Sequence, residues 1–192
     1  MNNNRLKFLR TFFAFYLIGS AAISTADIPE SNANNFSIGY DIGTIANGIA
    51  NGLRVASPSF FHDRLRIVGS ANLGWAQNVR PKDKTDDRWA YYGLYTLGFH
   101  GGQFIYALPI RINGAAEFAV ITPSKDISSK TAILGLKGGF DVELFANPSR
   151  SHALFLGAGG LGLFQPYFAE NLAGNPTVAN GFTAAVGYRY YF

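Results

Sequence analysis

The chain has 192 residues, 16 Lys and Arg against 12 Asp and Glu, 15% aromatic residues and no Cys. The lack of Cys excludes a disulfide-stapled fold, thiolate metal sites and a lipid-modified cysteine. The net charge of +4 makes no case for a nucleic-acid partner. Arg5, Lys7 and Arg10 fall in residues 1–26, which hold no acid, and residues 27–192 are left with +1.

Taken in chain order, the first element is an export signal. A basic start precedes an apolar run from Phe12 to Ile23, and Ser24-Thr25-Ala26 supplies small residues at the −3 and −1 positions of a cleavage site. The run is shorter than the roughly 18 residues a spanning helix needs. The pattern predicts a signal peptide over 1–26, cleavage after Ala26, and a single domain over 27–192. Residues Ser31 to Asn35 read as a flexible tail.

Period-2 alternation then predicts eight strands. In 35–45, Phe36, Ile38, Tyr40 and Ile42 share a face and Asp41 opposes them. A short strand at 51–57 sets Leu53 and Val55 against Arg54. The strand 64–76 sets Leu65, Ile67, Leu73 and Trp75 against Arg66, Ser70 and Asn72. In 88–100 the apolar face is Trp89, Tyr91, Tyr95, Leu97 and Phe99. The fifth, 104–121, opposes Phe104, Tyr106, Ile112 and Phe118 to Arg111, Asn113 and Glu117, with Pro109 expected to break it or bulge it. The sixth, 130–145, opposes Leu134, Leu136, Phe140 and Leu144 to Lys137, Asp141 and Glu143. The facing of 152–164 is ambiguous, and the eighth strand is 181–192.

Compact turns at Pro58–Asp63, Gly101–Gln103 and Ala146–Ser151 alternate with longer connections at Gln77–Asp87, Thr122–Ser129 and Gln165–Asn180. The first connection, Ala46–Ala50, is also short. An even strand number, short turns on one side and longer loops on the other predict an all-β fold: a transmembrane, antiparallel, up-and-down β-barrel of eight strands. Aromatic residues divide into two expected girdles. Phe36, Phe60, Phe99, Phe104, Tyr106, Phe145, Tyr190 and Phe192 lie near the rim bearing the termini. Trp75, Trp89, Tyr91, Phe164, Tyr167, Phe168 and Phe182 lie near the opposite rim.

The faces opposite the apolar ones carry Asp41, Arg54, Arg66, Arg111, Glu117, Lys137, Asp141, Glu143 and Arg189. Inside eight strands, side chains fill the interior and leave no wide channel. Buried charges must pair, so these nine are expected to form an ion-pair network that plugs the barrel. Removing Arg111 is then expected to strand an acidic partner. The alternative is a narrow channel or a conduit for small apolar molecules.

Catalytic, cofactor and metal sites have no convincing pattern. Ser59, His62 and Asp63 are neighbours in one turn, whereas the members of a triad usually come from separate elements. His62, His100 and His152 fall at turns or strand ends on the terminal side, with no metal-ligand spacing. Gly43–Gly48 and Gly157–Gly160 lack the Lys-Ser/Thr ending of a phosphate loop. The stretch Gly52 to Phe61 reads as a constrained turn without an assigned role. No enzyme and no cofactor are expected.

The chain closes on Val186-Gly187-Tyr188-Arg189-Tyr190-Tyr191-Phe192, with Tyr188, Tyr190 and Phe192 on one face. This ending resembles the closing strand of Gram-negative outer-membrane barrels, and the size is similar to those of the OmpA, OmpX and OmpW kind. The resemblance implies that Tyr188, Tyr190 and Phe192 form the signal read by the barrel-assembly machinery. It also implies residence among outer-membrane lipid and lipopolysaccharide, and a role in anchoring, adhesion or uptake of small apolar molecules. A lipid A-modifying enzyme is the weakest reading, because the His-X-Ser-Asn stretch of the deacylases is missing.

Overall fold

The computed structural model describes residues 32–105, 108–165, 168–174 and 176–192. The predicted signal segment and the aromatics Tyr106 and Tyr167 lie outside them. The chain forms eight antiparallel strands: β1 (Ser37–Ala46), β2 (Gly48–Ala56), β3 (Leu65–Val79), β4 (Arg88–Phe104), β5 (Ile110–Pro123), β6 (Ile133–Phe145), β7 (His152–Leu163) and β8 (Val178–Tyr191). Each pairs with its sequence neighbours, and β8 pairs with β1 from Ser37↔Tyr191 to Ile45↔Thr183, so the barrel closes.

Period 2 explains which face goes where. On β1 to β4, Ile38, Tyr40, Ile42, Leu53, Val55, Ile67, Leu73, Tyr91, Tyr95, Leu97 and Phe99 are exposed on the outside. Leu136, Phe140, Leu154, Leu156, Val186 and Tyr188 continue this apolar belt across β6 to β8. The ambiguity at 152–164 is resolved: Ala153, Phe155 and Leu161 face inward, while Leu154 and Leu156 face out. Phe155 fits inside because it lies against Gly187, where an added Cβ would come 2.4 Å from its ring.

Four expectations need correction. First, β2 is a full strand, and the chain turns through Ala46-Asn47, with Ala46 at φ 52°. The Gly and Asn residues of 48–52 have low strand propensity, but cross-strand pairing to both β1 and β3 overrides it. Second, Gly101–Gln103 do not form the turn but continue β4 to Phe104, and the fifth strand begins at Ile110 rather than at 104. The break expected at Pro109 falls directly before it.

Third, three of the girdle aromatics turn inward. Phe145 and Phe168 are buried, and Phe104 packs on Phe145 with ring centroids 5.5 Å apart. Phe145 shares the parity of Asp141 and Glu143, so alternation alone turns it in. Fourth, the lead before β1 is no loose tail over its described part. Asn32–Asn34 forms a 3-10 turn, and Ala33 is fully buried in the terminal mouth. Asn32 N–H donates to Ser149 O (3.1 Å), and Asn35 Nδ2 donates to Phe192 O (2.6 Å).

The β2–β3 turn is strained. Phe61, His62 and Asp63 have φ of 51°, 57° and 60°, a run of left-handed residues without glycine. Each costs about 1–2 kcal/mol, so the surroundings must hold them. Phe60 and Leu65 exchange backbone hydrogen bonds across the turn (2.8 and 3.1 Å), and Ser59 N–H donates to Asn34 O at 2.7 Å.

Candidate functional site: the barrel lumen

The lumen has three levels, set by which residues the inward faces supply. In the middle, eight of the nine candidate charges join one continuous chain of contacts with His100. Asp41 (β1) meets Arg54 (β2) at 3.3 Å, and Arg54 reaches Glu117 (β5) at 3.5 Å. Lys137 (β6) lies 3.2 Å from Glu117, and His100 Nε2 (β4) lies 2.7 Å from the same carboxylate. On its other side His100 Nδ1 is 3.6 Å from Asp141. Asp141 holds Arg189 (β8) at 3.1 Å, and Arg189 also donates to Glu143. Glu143 in turn holds Arg66 (β3) at 3.3 Å and accepts the Tyr191 hydroxyl. Asn113 Nδ2 donates to Asp141 (2.6 Å) and to Glu143 (3.1 Å).

Every strand except β7 thus contributes a polar group. From β7 comes Phe155, whose ring lies 4.1 Å from the Arg189 guanidinium carbon and 5.9 Å from that of Arg54. Cation–π contact of this kind is worth more where water is excluded. Such a chain is costly to break: removing one partner of a buried pair costs about 3–5 kcal/mol.

Arg111, the ninth residue, departs from the expectation that it pairs with an acid. Its backbone sits opposite Glu143 in the β5–β6 register, yet among the described residues no carboxylate lies within ion-pair distance of it. The fully buried guanidinium runs toward the terminal mouth, where it donates to Ala33 O (3.0 Å) and Asp63 O (3.3 Å). One side chain therefore grips both the lead and the left-handed turn. Backbone carbonyls are good acceptors but carry no charge.

At the terminal level, Ala33, Phe145, Ala153 and Tyr191 form a buried cluster with Phe104 against it. At the opposite end a larger apolar cluster fills the mouth. Tyr92, Leu94, Ile121, Ile133 and Leu161 come from strands, while Ile127, Phe168 and Leu172 drop in from loops. Tyr92 swings across because Gly74 leaves room, with its ring 2.3 Å from where a Cβ would stand.

The loops above are laced together. Pro81 bridges Leu172, Lys82 N–H donates to Asn171 O (2.8 Å), and Asn171 Nδ2 donates to Lys125 O (2.7 Å). Half-buried Glu170 accepts from Ser128 and from the Ser129 backbone, both at 3.2 Å, and from the Ser129 hydroxyl. These Ser129 hydrogen bonds hold the Glu170 carboxyl below its usual range. Between the charges and this lid remains a cavity of about 70 Å3, lined by Lys137, Glu117, Asn72, Thr183 and Leu94 among others.

The remaining candidate groups are scattered. His62 is exposed in the strained turn, and Ser59 Oγ has no hydrogen-bond partner among the described residues. His152 is outside the barrel, packed at a tilt against Tyr190 with centroids 5.1 Å apart and hydrogen-bonded to Tyr188. His100, read from sequence as a strand-end residue, is a member of the interior chain. Phe192 packs on Phe36 and on Tyr190 at the terminal rim (5.5 and 5.0 Å). Among the described residues no group of three acidic or imidazole side chains is arranged to hold a metal ion.

No protein-family model and no curated protein sequence matches the chain. Solved structures do. The fold is similar to the N-terminal β-barrel domain of OprF from Pseudomonas aeruginosa, with a TM-score of 0.56 and 12% identity, over 83% of this chain and 98% of that one. Ail, the attachment invasion locus protein of Yersinia pestis, aligns with a TM-score of 0.44 and 14% identity, over 82% of this chain and 96% of its own. The architecture is that of the small eight-stranded outer-membrane β-barrels.

Proposed function

We propose that this chain is an outer-membrane barrel with a sealed, internally cross-linked lumen, and that it serves as a structural or surface-contact protein. In this reading the terminal end faces the periplasm and the laced loops face outward. The apolar belt is solvated by outer-membrane lipid and lipopolysaccharide. Tyr188, Tyr190 and Phe192 present the closing strand to the barrel-assembly machinery, and residues 1–26 direct export. The chain catalyses no reaction and takes no cofactor.

The observation that carries the reading is the lumen itself, a connected ion-pair chain with an apolar cluster at each mouth. A hydrated ion moving through would have to displace Phe145 and Tyr191 at one end and Phe168 and Leu172 at the other. Planar-bilayer recording of the purified barrel is expected to stay near background. A steady, ion-selective current that Arg111→Ala alters without unfolding the protein overturns the seal and favours the narrow channel. Lipid A from cells with and without the gene is expected to give the same mass spectrum, and a missing or added acyl chain overturns the non-enzymatic reading.

A further inference from the structure

On the terminal side of the ion-pair chain, Arg54, Arg66 and Arg189 meet at a small chamber with His100, Ser37 and Val68. It holds about 10 Å3, and no carboxylate lines it. The Nη groups of Arg54 and Arg189 are taken by carboxylates: Asp41 and Glu117 for the first, Asp141 and Glu143 for the second. Among the described residues the Nε of each is buried with no hydrogen-bond partner, on side chains only 9% and 6% exposed. Two guanidinium donors without acceptors thus belong to residues that line one chamber.

The charge count points the same way. Among the described residues the lumen holds five cations, Arg54, Arg66, Arg111, Lys137 and Arg189. Against them stand four carboxylates, Asp41, Glu117, Asp141 and Glu143. The ion-pair chain balances four cations against four carboxylates, and the surplus positive charge is that of Arg111, which is bonded to carbonyls. A net charge enclosed between apolar caps is unfavourable. Unsatisfied buried donors are also rare in native structures. A single water answers the second problem and leaves the first. A monovalent anion answers both.

We propose that the chamber is a binding site for one monatomic monovalent anion, chloride under physiological conditions, held by Arg54 Nε and Arg189 Nε and neutralising the lumen. A space of about 10 Å3 is roughly that of one water-sized sphere. A halide is larger than water, so the guanidinium planes would have to open to take it, and sulfate, phosphate and carboxylates would need more room still. The anion would lie between β1, β2, β3, β4 and β8, and so tie the first hairpin to the closing strand.

The test is made on the full folded barrel in detergent. Crystals soaked in bromide are expected to give an anomalous peak within hydrogen-bond reach of both Nε atoms. Urea unfolding at constant ionic strength is expected to show greater stability in chloride or bromide than in gluconate or sulfate. Each tenfold rise in chloride above its dissociation constant should multiply the folding equilibrium constant about tenfold. Ala56→Leu, which would fill the chamber from its apolar wall and leave every charge in place, is expected to abolish both signals. Should that variant fail to fold, the bromide map and the anion series on the unaltered chain decide alone. A bromide map without a peak in the chamber overturns the proposal, as does equal stability in chloride and gluconate. So does a chloride effect that survives in folded Ala56→Leu.

Discussion

The two ends of the barrel are closed by different physics. The outer-loop end is shut by burial: Ile121, Ile127, Ile133 and Leu172 are fully buried, and fully burying a side chain of this size is worth about 1.5–3 kcal/mol. Its loops are tied by backbone bonds such as Lys82 N–H to Asn171 O and by side-chain bonds to Glu170 and from Asn171. The terminal end buries only a few side chains and is held by polar anchors instead. Tyr191 hangs on Glu143 and Arg66, while Ala33 and the strained turn hang on Arg111. A cap made by burial loses strength gradually as side chains are trimmed. A cap made by anchors fails at particular atoms.

That contrast is open to measurement by urea unfolding of the folded barrel. Glu143→Ala is expected to give the largest effect, a loss of about 3–5 kcal/mol, because it leaves Arg66 with no carboxylate, Arg189 with Asp141 alone and Tyr191 with Arg66 alone. A loss under about 1 kcal/mol would mean that the polar anchors are decorative. Leu172→Ala at the opposite end is expected to cost about 2–3 kcal/mol by leaving a cavity in the lid cluster. Hydrogen exchange should speed up in loops 80–82 and 124–130 but not at the terminal mouth.

Arg111→Met is expected to cost about 1.5 kcal/mol, the worth of its hydrogen bonds to carbonyls. Its mark is local: faster exchange at Asn34 to Phe36 and Ser59, with Glu143 still held by Arg66, Arg189 and Tyr191. Destabilisation as large as that of Glu143→Ala would show that Arg111 has an acidic partner after all.

The smallest effect is pH-dependent. The folded Glu170 carboxyl titrates below the unfolded one, near pH 4.3, so its contribution is full above that pH. It is lost as pH falls through the lowered folded value. Exchange at Ser129 should therefore rise below about pH 4.3, and Glu170→Gln should flatten that rise. A pH-independent Ser129 would remove Glu170 from the lid.

Much of this was legible in the sequence, because period 2 is strict wherever one strand face meets an apolar surround. Asp41, Arg66, Lys137, Asp141, Glu143 and Arg189 oppose aromatic or aliphatic neighbours so regularly that their inward aim follows from parity. Phe145 and Tyr191 carried the same signal, since they share parity with Glu143 and Arg189. What parity does not encode is reach. Arg111 stands opposite Glu143, but its long side chain runs to the mouth and takes carbonyls that the lead and the turn place there. Phe155 was hidden because Gly157, Gly159 and Gly160 erase the alternation of β7. The lid residues Ile127, Phe168 and Leu172 sit in loops, where no periodicity operates, and only the closed barrel gives them a mouth to fill.

The seam between β1 and β8 has a consequence for how the molecule comes into being. Ser37 pairs with Tyr191, the first strand with the last. Seven of the pairings are between sequence neighbours and form by local zipping, but the eighth requires almost the whole chain to come around. Closing so long a loop is slow, though its entropic cost grows only weakly with length. Until then the growing sheet has two open edges, the kind of surface that recruits strands from other chains. The half-made barrel is therefore the most aggregation-prone species on its path, and it stays so until the last strand has been made.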